Sequence, residues 1–454
     1  MNKFLIAVWG NPEKWNEVEY VYENESKKAK STLPLIKDVD NPDKIIIVCS
    51  DTLSDNYIHA FKNPSYKDLK SASENSIRNF CKVNFGFEPD KVIVGYGFGE
   101  FDNTKFSGNA SDFYYGIFKE LVFAFIEYLN FENETIEVIF DITHGLNFTP
   151  VLTYKALVEI LGILAYVFEV KFKTLNSDPL VGRGKVQKLN INTIEEAKIV
   201  PGLVAYKTSK RPIEPFSGLN DVDENELKNL GAEIDNLLKQ NNYERSKIYI
   251  FLSSFIFGMP VYVLTYLPDH NNLKAQIDCL HGKFEEHISI KCNQKIEVCR
   301  KLKFHIGFEN LVKAHLVSFI LSKKGFEGST EIPLRAIKDL RDKIYEKFPI
   351  ESNRIDKEIS DIEKYQYELS ENFKTYAQIR AKKTHELSEN SKTYEEIRDK
   401  KISGDIEKRN FFAHAGFEYN SIEIRKNNDK IEIKINENSR ETVEGLLKDA
   451  LKNA

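Results

Sequence analysis

Three side chains near the C-terminal end could do chemistry together: Arg409, Asn410 and His414, in the run Arg409-Asn410-Phe411-Phe412-Ala413-His414 that continues into Ala415, Gly416 and Phe417. An arginine and a histidine five positions apart on a helix are separated by about 1.4 turns, so both reach one edge of it. The guanidinium stays charged throughout, whereas an imidazole titrates near neutrality. Such a pair suits phosphodiester cleavage: the histidine moves protons on or off the attacking and leaving oxygens, and the arginine stabilises charge on the phosphoryl oxygens. Chemistry of this kind calls for no metal. Asn410 could orient substrate or the histidine through its amide. The same spacing recurs at Arg300 and His305. Spacing alone therefore does not separate a site from a basic helix face whose histidine packs or caps. The polar residue after Arg409, the aromatic filling and the small pair Ala415-Gly416 set the first pair apart, since Lys301 follows Arg300.

A chain of 454 residues has room for two or three domains that each bury a core. Its 64 basic and 69 acidic residues nearly balance, so any contact with a nucleic acid must be local. Five scattered cysteines without a CxxC argue against a disulfide framework or a zinc site, and no metal is expected. No run approaches 18 apolar residues and no charged-then-apolar leader opens the chain, which predicts a cytoplasmic protein. Over the first 200 residues, short β-branched runs at 4–9, 44–49, 91–95 and 136–141 alternate with helical stretches at 71–85, 111–129 and 150–164. That alternation predicts a doubly wound α/β sheet, with an antiparallel edge from strands near 166–175 and 185–191.

Ligands of open α/β sheets sit at the carboxyl ends of the strands, which directs attention to the loops there. They contain Trp9, Gly10 and Asn11; Ser50, Asp51 and Thr52; Tyr96 to Gly99; and Thr143-His144-Gly145-Leu146-Asn147. The last follows the acidic strand end at Asp141 and precedes Thr149-Pro150, a good helix start. Amides at that helix start, with the Thr143 hydroxyl and the Asn147 amide, could hold a phosphate or a purine edge; alternatively Thr, Gly and Asn only build the turn and His144 only packs. The first strand carries no GxGxxG, which excludes an ordinary NAD site.

The Arg409-Asn410…His414 pattern resembles the active motif of HEPN ribonucleases. The run Asp141-Ile142-Thr143-His144-Gly145-Leu146-Asn147 after an apolar strand resembles the signature of CARF domains, the Rossmann-like sensors of CRISPR-associated proteins. Together, in this order, they resemble the accessory ribonucleases of type III CRISPR systems. The resemblance implies catalytic roles for Arg409, Asn410 and His414 in a composite site that two HEPN helices form across a dimer axis. It also implies a cyclic oligoadenylate activator, cyclic tetraadenylate favoured over the six-membered ring, bound across a sensor dimer by Thr143, His144, Gly145 and Asn147. The loops at Trp9, Gly10 and Asn11 and at Ser50, Asp51 and Thr52 are inferred ligand contacts from sheet geometry.

The fold class expected is α/β plus α: a Rossmann-like sensor at 1–200, a linker at 201–223, a helical connecting region at 224–300 and an α-helical nuclease domain at 301–454. Helices are expected at 224–240, 244–257, 273–288 and 308–323, with Phe251, Phe255 and Phe257 in the core. Within the last domain a charged helical insertion at about 351–400 repeats itself, Glu368 to Asn372 recurring at Glu386 to Asn390 and Lys374 to Tyr376 at Lys392 to Tyr394. As one helix it would expose a stripe of Leu369, Tyr376, Ile379, Leu387, Tyr394 and Ile397, suited to contacts between dimers; with a bend the copies would form two similar antiparallel arms, and a solvated helical protrusion is the alternative. A hairpin around Asn427-Asn428-Asp429 and a short helix end the chain.

The expected reaction is cleavage of single-stranded RNA by its own 2′-hydroxyl, leaving a 2′,3′-cyclic phosphate and a 5′-hydroxyl, with His414 in proton transfer and Arg409 on the phosphorane. Two other readings stay open. One is a nucleotide-sensing regulator that binds DNA or a partner through its helical half. The other is an α/β enzyme that uses His144 and Asp141 on a small nucleotide.

Overall fold

Short β-branched runs bounded by turn residues fold as buried parallel strands because both faces of the sheet are covered. In the computed structural model, which describes residues 2–56, 63–180, 188–208, 215–218, 223–292, 295–380 and 406–453, they are β1 (Asn2–Val8), β4 (Lys44–Ser50), β5 (Lys91–Gly95) and β8 (Thr135–Asp141). The sheet they enter has eight strands in the order β3-β2-β10-β9-β8-β1-β4-β5. β8 and β4 flank β1 in parallel, Ile6 facing Ile46 on one side and Phe140 on the other. These three residues are fully buried. Each contributes about 1.5–3 kcal/mol by leaving water.

The antiparallel pair β9 (Glu169–Ser177) and β10 (Lys188–Ile199) forms as expected, but it is not the sheet edge. β10 pairs onward with β2 (Val18–Tyr22), and β2 with β3 (Glu25–Ala29). That extra hairpin turns through Glu23 and Asn24, both at positive φ, the two-residue geometry whose twist matches antiparallel strands. Helices α1 (Leu33–Asp40), α2 (Tyr66–Phe85), α3 (Ala110–Tyr128) and α4 (Thr149–Leu164) fill the connections. Capping boxes at Ser65 and Asn109 start α2 and α3. α4 starts differently: Phe148 stands at the cap without a side-chain bond, and Thr149 uses its hydroxyl on Leu146 instead.

The chain divides into two units, one of Met1–Gly202, Lys210–Asn241 and Gln276–Val312, the other of Leu203–Ser209, Asn242–Ala275 and Lys313–Ala454. The expected connecting region at 224–300 is thus shared between the two and is not a separate body. Its helices Glu224–Gln240, Arg245–Ile256 and His270–Glu286 form, but strands Ile288–Cys292, Ile296–Arg300 and Leu302–Phe304 follow them. The expected linker also carries sheet: Phe216–Gly218 pairs antiparallel with Leu302–Phe304, and Tyr206–Lys207 pairs with Lys452–Asn453.

Taken by itself, the second unit is not purely helical. Helices Leu334–Leu340, Pro349–Lys364 and Arg440–Ala450 accompany a four-stranded antiparallel sheet that contains the expected hairpin, Ile422–Asn427 with Lys430–Ile435, turning at Asn428 and Asp429. The insertion departs from a single exposed helix. Glu368 to Asn372 are irregular and follow the helix Pro349–Lys364, and Tyr376 and Ile379 are buried, so they belong to the core and not to an exposed stripe. The second copy of the repeat, 386–394, and Ile397 lie outside the described residues. Among the described residues no helix is long and apolar enough to cross a membrane.

Candidate functional site

The loop after β8 is shaped by its own small residues. A Cβ on Gly145 would come 2.3 Å from Pro150, and Asn147 takes φ +50° with an exposed side chain. Asp141, fully buried, accepts from the Thr143 amide at 3.0 Å and from the Thr32 hydroxyl at 2.5 Å, which pins the loop to the strand end. Neighbouring backbone is drawn in as well. The Gly10 amide donates to the His144 carbonyl at 2.9 Å, and the Ser177 amide donates to the Thr143 hydroxyl at 3.0 Å.

Thr143 and His144 open on a cavity of about 560 Å³, lined also by Lys14, Trp15, Asn16, Tyr20, Lys30 and Asn176 to Asp178. His144 stacks on Trp15 with ring centroids 4.0 Å apart. Its Nε2 stands 3.5 Å from the Tyr20 hydroxyl. Burial pulls the His144 imidazole down to about 4 against the opposite pull of Asp141, so it is neutral at physiological pH. Lys14 and Lys30 give the wall positive charge, and aromatic faces stand beside them. Anionic, planar ligands suit such a lining.

Trp15, Tyr20, Lys14 and Lys30 lie in and beside the hairpin at 18–29, whose first strand alternates Val18, Tyr20 and Tyr22 before Glu23-Asn24 while its second strand offers no apolar signal. The loops chosen from sheet geometry fare differently. Trp9 is 2% exposed and packs edge-on against Trp15, Phe80 and Phe85, so it is a core residue. Gly10 is buried, and its backbone closes on the His144 loop. Asn11 caps the short helix Pro12–Lys14 through the Glu13 amide. Ser50 accepts from the amide and hydroxyl of Thr52. None of Trp9, Gly10, Asn11, Ser50, Asp51 or Thr52 lines the cavity.

Asp51 is the clearest departure. It is fully buried and pairs with Arg300 at 2.5 Å, while also accepting from the Gly97 amide at 2.8 Å and the Tyr66 hydroxyl at 2.9 Å. Arg300 donates further to the Gly97 and Ser107 carbonyls. A buried charge is tolerated only when satisfied in this way, and all the donors here serve to lock loops together. Arg300 ends a strand, and His305 stands just before the helix Ile306–Lys323. This second arginine–histidine match is therefore structural.

The first match is built otherwise. Arg409 and Asn410 lie on the short helix Lys408–Ala413, and His414 is the residue at which it stops. The stop is a Schellman turn: the Gly416 amide returns to the Phe411 carbonyl at 2.9 Å and that of Ala415 to Phe412, with Ala415 at φ +49° and Gly416 at φ +82°. Phe411 is buried against Tyr262 and Phe412 packs on Phe257, which anchors the apolar side. Arg409 is exposed, and among the described residues it makes no ion pair. Asn410 donates to Glu407 at 2.7 Å rather than to His414.

The histidine has a different partner. His414 Nδ1 lies 2.7 Å from Glu358 Oε1, a carboxylate only 2% exposed, on the helix Pro349–Lys364. Burial raises the Glu358 carboxyl above its ordinary value, opposed by the bond to His414. Nothing in the sequence marks Glu358, which lies 56 residues before the histidine it holds. The geometry offers a positioned imidazole at the end of a short helix that also carries an exposed arginine without an ion pair among the described residues, the components of acid–base and electrostatic assistance to a phosphoryl centre.

Comparison with known families agrees with both halves. The domain described as CRISPR system endoribonuclease Csx1, CARF domain, matches residues 4–179, and the one described as CRISPR system endoribonuclease Csx1, HEPN domain, matches 348–437. A CRISPR system endoribonuclease Csx1 from Methanocaldococcus jannaschii is 32% identical over 448 residues, covering 95% of this chain and 90% of that protein. With the two domains in the order their motifs require and identity running nearly end to end, the chain belongs to the Csx1 family of CRISPR system endoribonucleases, pairing a CARF domain with a HEPN domain.

Proposed function

We propose that this chain is a metal-independent endoribonuclease for single-stranded RNA, switched on by a cyclic oligoadenylate, with cyclic tetraadenylate the favoured ring. The observation that carries the reading is the contrast within the motif: His414 held by a buried carboxylate while Arg409 faces solvent without an ion pair among the described residues. A substrate phosphate is the natural partner for such an arginine. The RNA 2′-hydroxyl attacks the adjacent phosphorus and the 5′-oxygen departs, leaving a 2′,3′-cyclic phosphate and a 5′-hydroxyl. Proton transfer falls to His414 and phosphorane charge to Arg409. A motif histidine open on one side fits a composite site completed by a second copy.

At the other end, Lys14 and Lys30 suit the ring phosphates, and the Trp15–His144 wall with Thr143 suits adenine. Leu146, Val151 and Tyr154 are exposed at the loop and the head of α4. A second protomer placed there would bring two copies of the loop onto one two-fold ring. Gly145 and Asn147 act in this scheme by shaping the turn. Activation requires the ring to bind the active arrangement better than the inactive one.

The test is cleavage of a labelled single-stranded RNA in EDTA, with and without cyclic tetraadenylate, by the native protein and by His414→Ala. Cleavage that needs the ring, survives chelation and is lost in the variant is expected. A variant that cuts as fast as the native protein would remove the motif from the mechanism.

A further inference from the structure

We infer that Glu358 is a positioning residue for RNA cleavage: it fixes the His414 ring with hydrogen on Nδ1 and leaves Nε2 as the atom that takes and returns protons. The inference rests on the proposed role of His414 in proton transfer. Its basis is local geometry. Glu358 lies on the inward face of its helix because Ile355, Ile359 and Ile362 on the same face are buried. That face delivers the carboxylate to the motif, where Oε1 stands 2.7 Å from Nδ1.

A carboxylate accepts but cannot donate, so the hydrogen of this bond belongs to Nδ1. With that nitrogen committed, the lone pair of a neutral ring is on Nε2. When Nε2 takes the proton of the 2′-hydroxyl, the ring becomes an imidazolium, and the Nδ1 hydrogen stays on its bond to the glutamate. Nε2 then gives that proton to the departing 5′-oxygen, which becomes the 5′-hydroxyl, and Glu358 ends each cycle unchanged.

A second contact from the same helix supports this reading. Arg354, one turn earlier, donates from NH1 to the Phe412 carbonyl at 2.7 Å and from NH2 to the Phe257 carbonyl at 3.0 Å. Cations are favoured at the carbonyl end of a helix, and this one holds the last turn before His414. Residues four apart on one helix thus grip the motif at its backbone and at its ring. Burying a carboxylate is costly for stability, and an apolar residue on this face would be cheaper. Ring orientation accounts for its presence.

The experiment uses the full chain with cyclic tetraadenylate and labelled single-stranded RNA, comparing the native protein, Glu358→Ala, Glu358→Gln, His414→Ala and the Glu358→Ala/His414→Ala pair under single-turnover conditions. We expect Glu358→Ala to lower the cleavage rate about ten- to a hundredfold with little change in RNA affinity. Glu358→Gln, whose amide oxygen still accepts, should lose less, and the pair should be no slower than His414→Ala alone. Nitrogen-15 histidine spectra should show Nδ1–H for His414 in the native protein and in Glu358→Gln, but a shift towards Nε2–H in Glu358→Ala. Native cleavage by Glu358→Ala would overturn the inference, as would a loss that persists undiminished in the His414→Ala background. Should His414→Ala itself cut at the native rate, the nuclease reading falls first and this inference falls with it. If Glu358→Ala does not fold, Glu358→Gln decides by its tautomer, since an Nε2–H ring there contradicts the proposal.

Discussion

Arg300 and Arg409 each precede a histidine by five positions, and the fold treats them in opposite ways. Arg300 is fully buried, bonded to Asp51 and to two carbonyls, at the end of a strand that the further strand Leu302–Phe304 follows before any helix. Arg409 is exposed on a helix that stops at the histidine. One guanidinium is consumed by the protein's own acceptors; the other makes no ion pair among the described residues and, on the proposed function, awaits a substrate phosphate. What distinguishes a structural from a chemical arginine is therefore the inventory of partners around it, which spacing does not encode.

Mutating the two arginines sharpens this contrast most. Arg300→Met should cost about 3–5 kcal/mol of stability, because it leaves the buried Asp51 carboxyl without its cation. Adding Asp51→Leu should recover much of that, and the folded fraction of either variant should cleave RNA normally. Arg409→Ala should leave the denaturation midpoint unchanged and slow cleavage about a hundred- to a thousandfold. Urea titrations and single-turnover rates measured together check both. The contrast breaks if Arg300→Met is stable but inactive, or Arg409→Ala unstable but active.

Histidine burial gives a smaller, pH-dependent effect. His281 accepts a place beside Tyr96, whose hydroxyl lies 2.8 Å from its Nε2, and burial pulls its imidazole down to about 4, with Lys119 pulling the same way and Glu285 opposing. A depressed value in the folded state means that the unfolded chain binds the proton first. The stability this represents is fully present above about pH 6.5 and is lost as pH falls towards 4, on the order of 1–3 kcal/mol. Denaturant midpoints at pH 7.5 and 4.5 should fall less far apart in His281→Asn than in the native protein; equal gaps would acquit His281. The smallest effect concerns Ala415. At φ +49° its Cβ is strained, so Ala415→Gly should stabilise by roughly 0.5–1 kcal/mol, net of the extra freedom glycine gains when unfolded. A lower midpoint would show that the methyl packing outweighs the strain.

The features legible in the sequence are those set within a few residues. β-branched runs predict the central strands, alternation around Asn427-Asn428-Asp429 predicts the hairpin at 422–435, and the run from Asp141 to Asn147 marks a loop that does open on a cavity. The strands at 18–29 escaped because Glu25 to Lys28 are exposed at the sheet edge and carry no apolar alternation. Trp9 and Asp51 follow strands, as ligand contacts of an open sheet do, but whether such a residue faces a cavity or the core depends on what packs above it. Distance in sequence hid the rest. Asp51 meets Arg300 across 249 positions and Glu358 meets His414 across 56, and neither carboxylate has a local signature of its partner. The middle of the chain misled for a related reason: helix periodicity reports which face is buried, but not which unit buries it.

The paired grip of Arg354 and Glu358 has a kinematic meaning. A short helix of six residues ending at a histidine would ordinarily have many soft modes, fraying at its last turn while the ring swings about its own bonds. Here a carbonyl of the last turn and the ring nitrogen are both tied to one longer rod, which couples those modes to the motion of that rod. A displacement of Pro349–Lys364 carries carbonyl and imidazole together, with no lever between them to amplify or absorb the movement. On the proposed mechanism, the nitrogen that handles the proton would move with that rod.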